Sequence, residues 1–438
     1  MTKTVCIETW GCQMNIHQSE GLVGLLERAG YQVVDRISDA NIVLFNGCLV
    51  RQKAEDKVYG RIGAVVDEKR RRPVLLGVGG CLGEVRREEL LRRFPAVDFV
   101  FGARGHSGLL ELIEQADRGI RDAAIDHGPK LFDEVPYSRS TYPTGMVTIT
   151  EGCSNYCAYC VVPFARGPMR SRDVERILDE VRDLVAQEYR EVLLLGQNVN
   201  AYGTDRNDVG SFVELLRAVV DTGIQRVRFT SSHPRDLQAD VFVLMKELPS
   251  ICPHIHLACQ SGSDRILGQM NRGYTRREFL ELVSTGRKVI PHLNVTTDLI
   301  VGFPGETDAD FEETLSLLDE ACFGTVFAAM YSERPLTKAS HIPDDVPQEL
   351  KSERLHRLLD RQRQIALAEN ERFVGGEVEV LIEGVSRNGA AYGRARDHRT
   401  VLIDQQLEKG QTVRATVEAA SAAALSGVMC PEGQGDYQ

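Results

Sequence analysis

From residue 1 to about 125, short apolar runs alternate with stretches in which apolar positions recur every three or four residues. "TVCIET", "YQVV", "ANIVLFN", "PVLLGVGG" and "VDFVFG" have the length and continuity of strands, and "SEGLVGLLERAG" between the first two has the helical period. Strand period trading places with helix period predicts a doubly wound parallel α/β domain over residues 1–125. A polar connector follows, containing "DHGPK" and "PYSRSTYPTG". The alternation then resumes on a larger scale. "MVTIT", "EVLLLGQN", "RVRFTSS", "HIHLACQS", "NVTTDLIVGF" and "TVFAAMYS" are separated by helical segments such as "ERILDEVRDLVAQ" and "RREFLELVSTGRKVI". Six such strand and helix units predict a partial (β/α)6 barrel over residues 140–370, with its chemistry at the C-terminal strand edge. The charged stretch "QELKSERLHRLLDRQRQIALAENERFVG" reads as one long connecting helix. In the tail, 373–438, the runs "EVEVLIEGV", "AAYGRA", "TVLID" and "QTVRATVEAA" predict a small antiparallel β-barrel.

Length changes little in this picture, since 438 residues suit two or three cores. No apolar run approaches the roughly 18 residues that cross a bilayer, and "MTKTVCIETW" lacks the order of a secretion signal, so a cytoplasmic protein without a membrane partner is expected. In that compartment eleven cysteines point to metal or catalytic use rather than disulfides. A formal charge of −11 argues against nucleic-acid binding by bulk electrostatics. Arginine nevertheless clusters in "EKRRRP" (68–73), "VRREELLRRF" (85–94), "RGPMRSRDVER" (166–176) and "NRGYTRRE" (271–278), each readable as a phosphate contact or a solvated helix face.

The chemistry concentrates in "GCSNYCAYC", where Cys153, Cys157 and Cys160 follow the first barrel strand. A closed zinc site wants a fourth ligand, and neither cysteine nor histidine appears in the next seventy residues. Three thiolates suit a 4Fe-4S cube with one iron left free for a ligand. A second triplet is dispersed: Cys12, Cys48 and Cys81 each follow a predicted strand of the first domain, and in a parallel sheet those ends share one edge. A second cluster with an open iron is implied. Cys6, Cys252, Cys259, Cys322 and Cys430 lie within or beside apolar runs and read as core or bystander residues.

The C-x3-C-x2-C spacing with Tyr159 before the last cysteine resembles the radical S-adenosylmethionine (SAM) superfamily. Together with "ETWGCQMNIHQSE", "FNGCLVRQKAEDKV", "FARGPMRSR", "LLLGQNVNAYG", "FTSSHPRD", "QSGSDRIL" and "DLIVGFPGETDADFEETL", it resembles the radical-SAM methylthiotransferases along nearly the whole chain, and most closely their tRNA branch. That resemblance implies an N-terminal methylthiotransferase domain, a radical-SAM barrel and a C-terminal barrel of the TRAM kind. It implies two 4Fe-4S clusters and SAM as cofactors, with Tyr159, Gly196, Gln197, Asn198, Gln260, Ser261 and Gly302 as candidates around SAM. Its implied substrate is N(6)-dimethylallyladenosine at tRNA position 37 in the anticodon stem-loop, methylthiolated at C2. A C2–H is neither acidic nor a leaving group, so one SAM would methylate a sulfur on the Cys12, Cys48 and Cys81 cluster and a second would generate the hydrogen-abstracting radical at Cys153, Cys157 and Cys160. A flavodoxin or ferredoxin reductant and a monomeric enzyme are expected.

The same chemistry on threonylcarbamoyladenosine or on a ribosomal-protein aspartate is the nearest alternative. A non-catalytic iron-sulfur protein that binds RNA or carries electrons is the more distant one. Two departures stand out. The family's usual "YSPRPGTPA" is here "YSERPLTKAS", which loses a Pro-Gly turn, and "LPVQSGS" becomes "LACQSGS". The tail from 373 carries six Lys or Arg against nine Asp or Glu, acidic for a module that meets RNA.

Overall fold

The computed structural model describes residues 3–104, 108–123, 135–387 and 389–430. The N-terminal part runs β1 (Thr4–Trp10), α1 (Gln13–Arg28), β2 (Gln32–Val33), β3 (Ile42–Gly47), α2 (Gln52–Lys69), β4 (Leu75–Gly79), α3 (Gly80–Arg93), β5 (Phe99–Val100) and α4 (Leu109–Asp117). Its five strands are all parallel in the order β2-β1-β3-β4-β5. The order reverses beside β1, as in a doubly wound sheet. Every residue of β3 is buried, because helices cover both faces of the central strands and leave no polar side to alternate with.

The central part contains β6 (Thr144–Thr148), β7 (Thr150–Glu151), α5 (Val162–Arg166), β8 (Arg170–Ser171), α6 (Val174–Ala186), β9 (Glu191–Leu195), α7 (Phe212–Asp221), β10 (Arg226–Phe229), α8 (Asp240–Glu247), β11 (His254–His256), α9 (Asp264–Gln269), α10 (Arg276–Val289), β12 (Asn294–Val301), α11 (Asp308–Ala321) and β13 (Thr325–Met330). Two three-stranded parallel sheets, β6-β9-β10 and β11-β12-β13, meet through bridges at Val227 to Ile251 and Ser232 to Leu257, so six strands curve into an open barrel. One apolar core runs beneath all of it, from Val147 through Phe229 and Phe279 to Phe323. The predicted six-unit half-barrel is therefore observed. The β7–β8 hairpin and the short α5 inside its first crossover have no apolar period and were not expected.

Helix α12 (Gln348–Glu371) confirms the long connector. After it, β14 (Glu377–Val385), β15 (Ala391–Ala395), β16 (Thr400–Ile403), β17 (Thr412–Ala420) and β18 (Leu425–Met429) close a barrel in the order β14-β15-β16-β18-β17. Four of these strands match the predicted runs. The fifth, "LSGVM", hides behind an alanine-rich segment whose first half completes β17, and its pairing with β16 is parallel.

This small barrel seals the lower end of the large one. Arg226 and Arg228, in β10 near its start, donate to the carbonyls of Arg394, Ala395 and Arg396, and Asn294, first in β12, donates to Asp397 at 2.7 Å. The rings of His254 and His398 lie 4.5 Å apart across the same junction. The upper, C-terminal strand edge is left to the N-terminal part.

Candidate metal centres

Strands β1, β3 and β4 are neighbours in the sheet and end at Trp10, Gly47 and Gly79, so Cys12, Cys48 and Cys81 emerge side by side at one edge. The Cys48 N–H donates to the Trp10 carbonyl at 2.8 Å. Gly80 stands at φ +75° with Asn46 Oδ1 only 2.2 Å from where a Cβ would be, so a side chain there would push Cys81 off the sheet edge. Asn15 and Asn46 brace the turn through a 3.1 Å side-chain bond, with Asn46 Nδ2 also donating to the Asn15 carbonyl at 2.9 Å. The neighbouring Cys12 and Cys48 thiols act on one another, so that Cys12, helped by the Arg166 guanidinium, lies below the ordinary thiol range while Cys48 is pushed well above it. Burial pushes Cys81 up, and Arg166 opposes it.

Arg166 belongs to α5 of the barrel, which packs on α3 of the other unit, and its charge acts on the Cys81 thiol there. The second triplet is thus next door. Cys153, Cys157 and Cys160 lie on the loop after β7, held from several sides. Asn155 accepts from Arg235 at 2.6 Å, Asn271 Nδ2 donates to the carbonyls of Asn155 and Tyr156, and the Ala158 N–H donates to Met270 at 2.9 Å. Arg272, 3% exposed, reaches 3.1 Å from Cys157 Sγ and 3.4 Å from the Tyr159 hydroxyl while also donating to the Ala258 carbonyl. Burial raises Cys153, and raises Cys160 to about 12. All eleven cysteines are free thiols; Cys6, Cys252 and Cys259 are buried, with Cys322 and Cys430 partly so.

Two further struts tie the units together. Arg334, from the loop after β13, meets Glu55 of α2 at 3.0 Å, both side chains at most 4% exposed, and its charge acts on Cys48. His17 of α1 bonds Thr148 at 2.9 Å and approaches Glu180 at 3.6 Å, with Tyr137 stacked on its ring.

Of the residues expected around SAM, Gln197 accepts from the Gly152 N–H beside the cysteine loop, and Asn198 donates to Asp236 at 2.7 Å, the same carboxylate that Asn155 reaches. Gly196 packs so closely on Thr150 that a Cβ would lie 2.1 Å from its hydroxyl. Tyr159 is joined to the loop through Arg272. Gln260 adopts φ +79° and bridges to β12, its N–H donating to Asp298 and its carbonyl accepting from Ile300. Ser261 lies deeper, fully buried with its hydroxyl 3.4 Å from Thr314, and Gly302 sits at φ +70° under Lys351. These two are packed into the outer helices rather than gathered at the loop.

Buried polar atoms without partners mark what the strand edge lacks. Thr150 Oγ1, Gln197 Nε2, Asn198 Oδ1, Ser232 Oγ and His233 Nε2 are all unpaired on the ends of consecutive strands. Such a row is costly unless a polar ligand completes it. Burial holds His233 neutral, lowered to about 3. Among the described residues no three His, Cys, Asp or Glu side chains surround a point tightly enough for a single ion. Thiolates at the corners of a cube stand further apart than those on one ion, so the soft donor sets fit a cluster better than zinc.

Sequence reasoning missed Arg166, Arg272, His233 and Arg334 as site residues, although each lies in a stretch singled out above. Clusters 166–176 and 271–278 were read as phosphate contacts or solvated faces, whereas Arg166, Arg172 and Arg272 are buried. The available signal was their position one turn or one loop from a cysteine or strand end.

Comparison with known proteins is consistent along the whole chain. Residues 4–102 match "Uncharacterized protein family UPF0004", 147–318 the "Radical SAM superfamily" and 371–429 the "TRAM domain". A tRNA-2-methylthio-N(6)-dimethylallyladenosine synthase of Geotalea uraniireducens is 43% identical over 98% of this chain and 99% of its own length. The synthase of Thermobifida fusca is 44% identical over 96% of this chain and 88% of its own. Among solved structures, the radical S-adenosylmethionine methyltransferase TsrM of Kitasatospora setae, with cobalamin and a 4Fe-4S cluster bound, superposes with a TM-score of 0.57 at 16% identity over 77% of each chain, a likeness of fold.

Proposed function

The chain belongs to the tRNA-2-methylthio-N(6)-dimethylallyladenosine synthases, and we propose from that premise that it methylthiolates C2 of N(6)-dimethylallyladenosine at tRNA position 37. It is a radical-SAM transferase acting on RNA. The observation that carries the reading to a mechanism is the convergence of both cysteine triplets on one boundary, where Val161 and Ala165 beside the barrel triplet pack into one apolar cluster with Cys81 of the sheet edge. A reaction that needs a hydrogen-abstracting radical and a sulfur donor at the same carbon requires such proximity.

In this proposal Cys153, Cys157 and Cys160 hold one 4Fe-4S cluster, and Cys12, Cys48 and Cys81 the other. When bound, the two clusters and SAM supply the electron that cleaves the sulfonium and the open iron at which sulfur is presented. The protein's part is to orient and to exclude water. Arg166 favours the thiolate form of Cys12 and Cys81. Arg272 holds Cys157 and the Tyr159 ring in register. The unpaired atoms of Gln197, Asn198, Ser232 and His233 receive the polar groups of SAM, joined by Tyr159, Gly196 and Gln260; Ser261 and Gly302 act through the backbone they fix. The working units are 1–125, 140–370 and 373–438. No helix among the described residues is long and apolar enough to cross a membrane; the cytoplasmic setting is part of this proposal. It works as a monomer on an anticodon stem-loop, reduced by a flavodoxin or ferredoxin.

Nucleoside mass spectrometry of tRNA from a strain lacking this gene tests the assignment. The 2-methylthio nucleoside should vanish, its dimethylallyl precursor accumulate, and complementation with the wild-type chain, but not with Cys12→Ala or Cys153→Ala, restore it. Persistence of the methylthio nucleoside in the deletion strain would refute the reading.

A further inference from the structure

The loop after β13 spans the two cysteine sites. At one end Arg334 is ion-paired with Glu55 at 3.0 Å and acts on Cys48. At the other, the Ala339 N–H donates to the Ala158 carbonyl at 2.8 Å, between Cys157 and Cys160. The Thr337 hydroxyl closes the turn onto the Arg334 carbonyl at 2.8 Å. Leu336 therefore lies midway between the triplets, on a segment pinned at both ends.

Two features of Leu336 oppose folding. Its φ of +66° is in the left-handed region, where a γ-branched side chain is strained. Its side chain is 58% exposed, the most open of the large hydrophobic residues among the described residues. Strain without packing in return is retained where function needs it. The neighbourhood is unusual in the same way. Ile16 and Val50 follow Cys12 and Cys48, Tyr156 lies within the barrel triplet and Phe164 just after it, and all four are exposed apolar residues, Tyr156 also at positive φ. Apolar surface thus collects on the cysteine-bearing loops and on the first turns of the helices that follow them, as expected of a site that receives a hydrocarbon group.

We infer that Leu336 is a specificity-determining residue, giving the apolar contact that reads the branched five-carbon substituent on N6 of the substrate adenine. The inference rests on the proposed function. Prenylation exchanges one N6–H of adenosine for a hydrocarbon, so a hydrogen bond can register only the lost donor, and reading the five-carbon group itself falls to apolar surface beside the reacting base.

The test compares anaerobically reconstituted wild type, Leu336→Gly and Leu336→Met on two anticodon stem-loop RNAs, one with N(6)-dimethylallyladenosine at position 37 and one with plain adenosine. Both kcat/KM and Kd by fluorescence anisotropy are measured, together with thermal midpoints. Leu336→Gly should keep or raise the thermal midpoint, because glycine relieves the left-handed strain. It should also lower the preference for the prenylated RNA by about tenfold in Kd and kcat/KM, and Leu336→Met should restore most of it. An unchanged preference in Leu336→Gly, or an equal loss on both RNAs with a lowered midpoint, would overturn the inference. A wild type that acts on both RNAs equally would overturn it too, whereas a wild type that makes no methylthio product from the prenylated RNA would overturn the functional reading beneath it.

Discussion

The Glu55 to Arg334 pair is the most exacting place to test how the two cluster-bearing units are held together. The two charges lie 3.0 Å apart, 2% and 4% exposed, and 279 residues separate them in sequence. Burial lowers the Arg334 pKa despite the carboxylate beside it, so the guanidinium depends on this one anion. Glu55 is better supplied, since the Tyr59 hydroxyl donates at 2.6 Å and Arg86 at 3.1 Å. Removing the anion should therefore hurt more than removing the cation. A buried charge left without its partner costs about 3 to 5 kcal/mol, and Glu55→Gln should fall in that range. Arg334→Met should cost about 2 kcal/mol, because Glu55 keeps two partners. The double variant buries no orphaned charge and should cost about 2 kcal/mol, no more than Arg334→Met alone, giving a coupling energy of about 3 to 5 kcal/mol. Trp10, the one tryptophan of the chain, lies at the end of β1 two residues from Cys12. Anaerobic urea unfolding of the full-length protein followed by its fluorescence reports this unit. Single-variant costs that add to within about 0.5 kcal/mol in the double would refute the account of a dry, mutually dependent pair.

Acid lability should originate at the junction with the small barrel. Burial holds both His254 and His398 neutral, well below their ordinary value, with Arg228, Arg394 and His256 adding repulsion. The unfolded chain takes up protons below about pH 6.5, so stability is complete above that value and falls by roughly 1 to 1.5 kcal/mol per pH unit for each ring as pH drops. His398→Asn, which tolerates the φ of +73°, should remove one ring's share of this slope in denaturant melts between pH 7 and 5.5, and parallel slopes would count against it. At the barrel triplet, Arg272→Lys loses the fork that joins Cys157, Tyr159 and the Ala258 carbonyl. The potential of that cluster, followed by electron paramagnetic resonance in a redox titration, should fall by roughly 60 mV, a decade in the one-electron equilibrium; an unmoved potential would assign Arg272 to packing alone.

The half-barrel strands were legible because a strand buried on both faces must be a continuous apolar run, and each barrel unit repeats that run beside an amphipathic helix. The cysteines of 153–160 were legible for a related reason, since adjacent ligands need only a loop. The dispersed triplet became visible through topology, because parallel strands deliver their C-terminal ends to one edge. The arginines were misread. Arg166 and Arg172 share a charged stretch with the exposed Asp173, and nothing in the local pattern says which guanidinium turns inward. Strand β18 escaped because "LSGVM" is short and follows alanine and serine, and it pairs with β16 only when the barrel closes.

The chain's pattern of apolar periods and cysteine spacing determined the strands, the helices and the two sets of thiols, since these depend on interactions within one element or one crossover. Tertiary structure alone decided that Arg166 crosses to Cys81, that Arg334 finds Glu55, and that residues 394–398 plug the large barrel. Those contacts join groups far apart in the chain, and their energies depend on burial, which a linear pattern of charges does not encode.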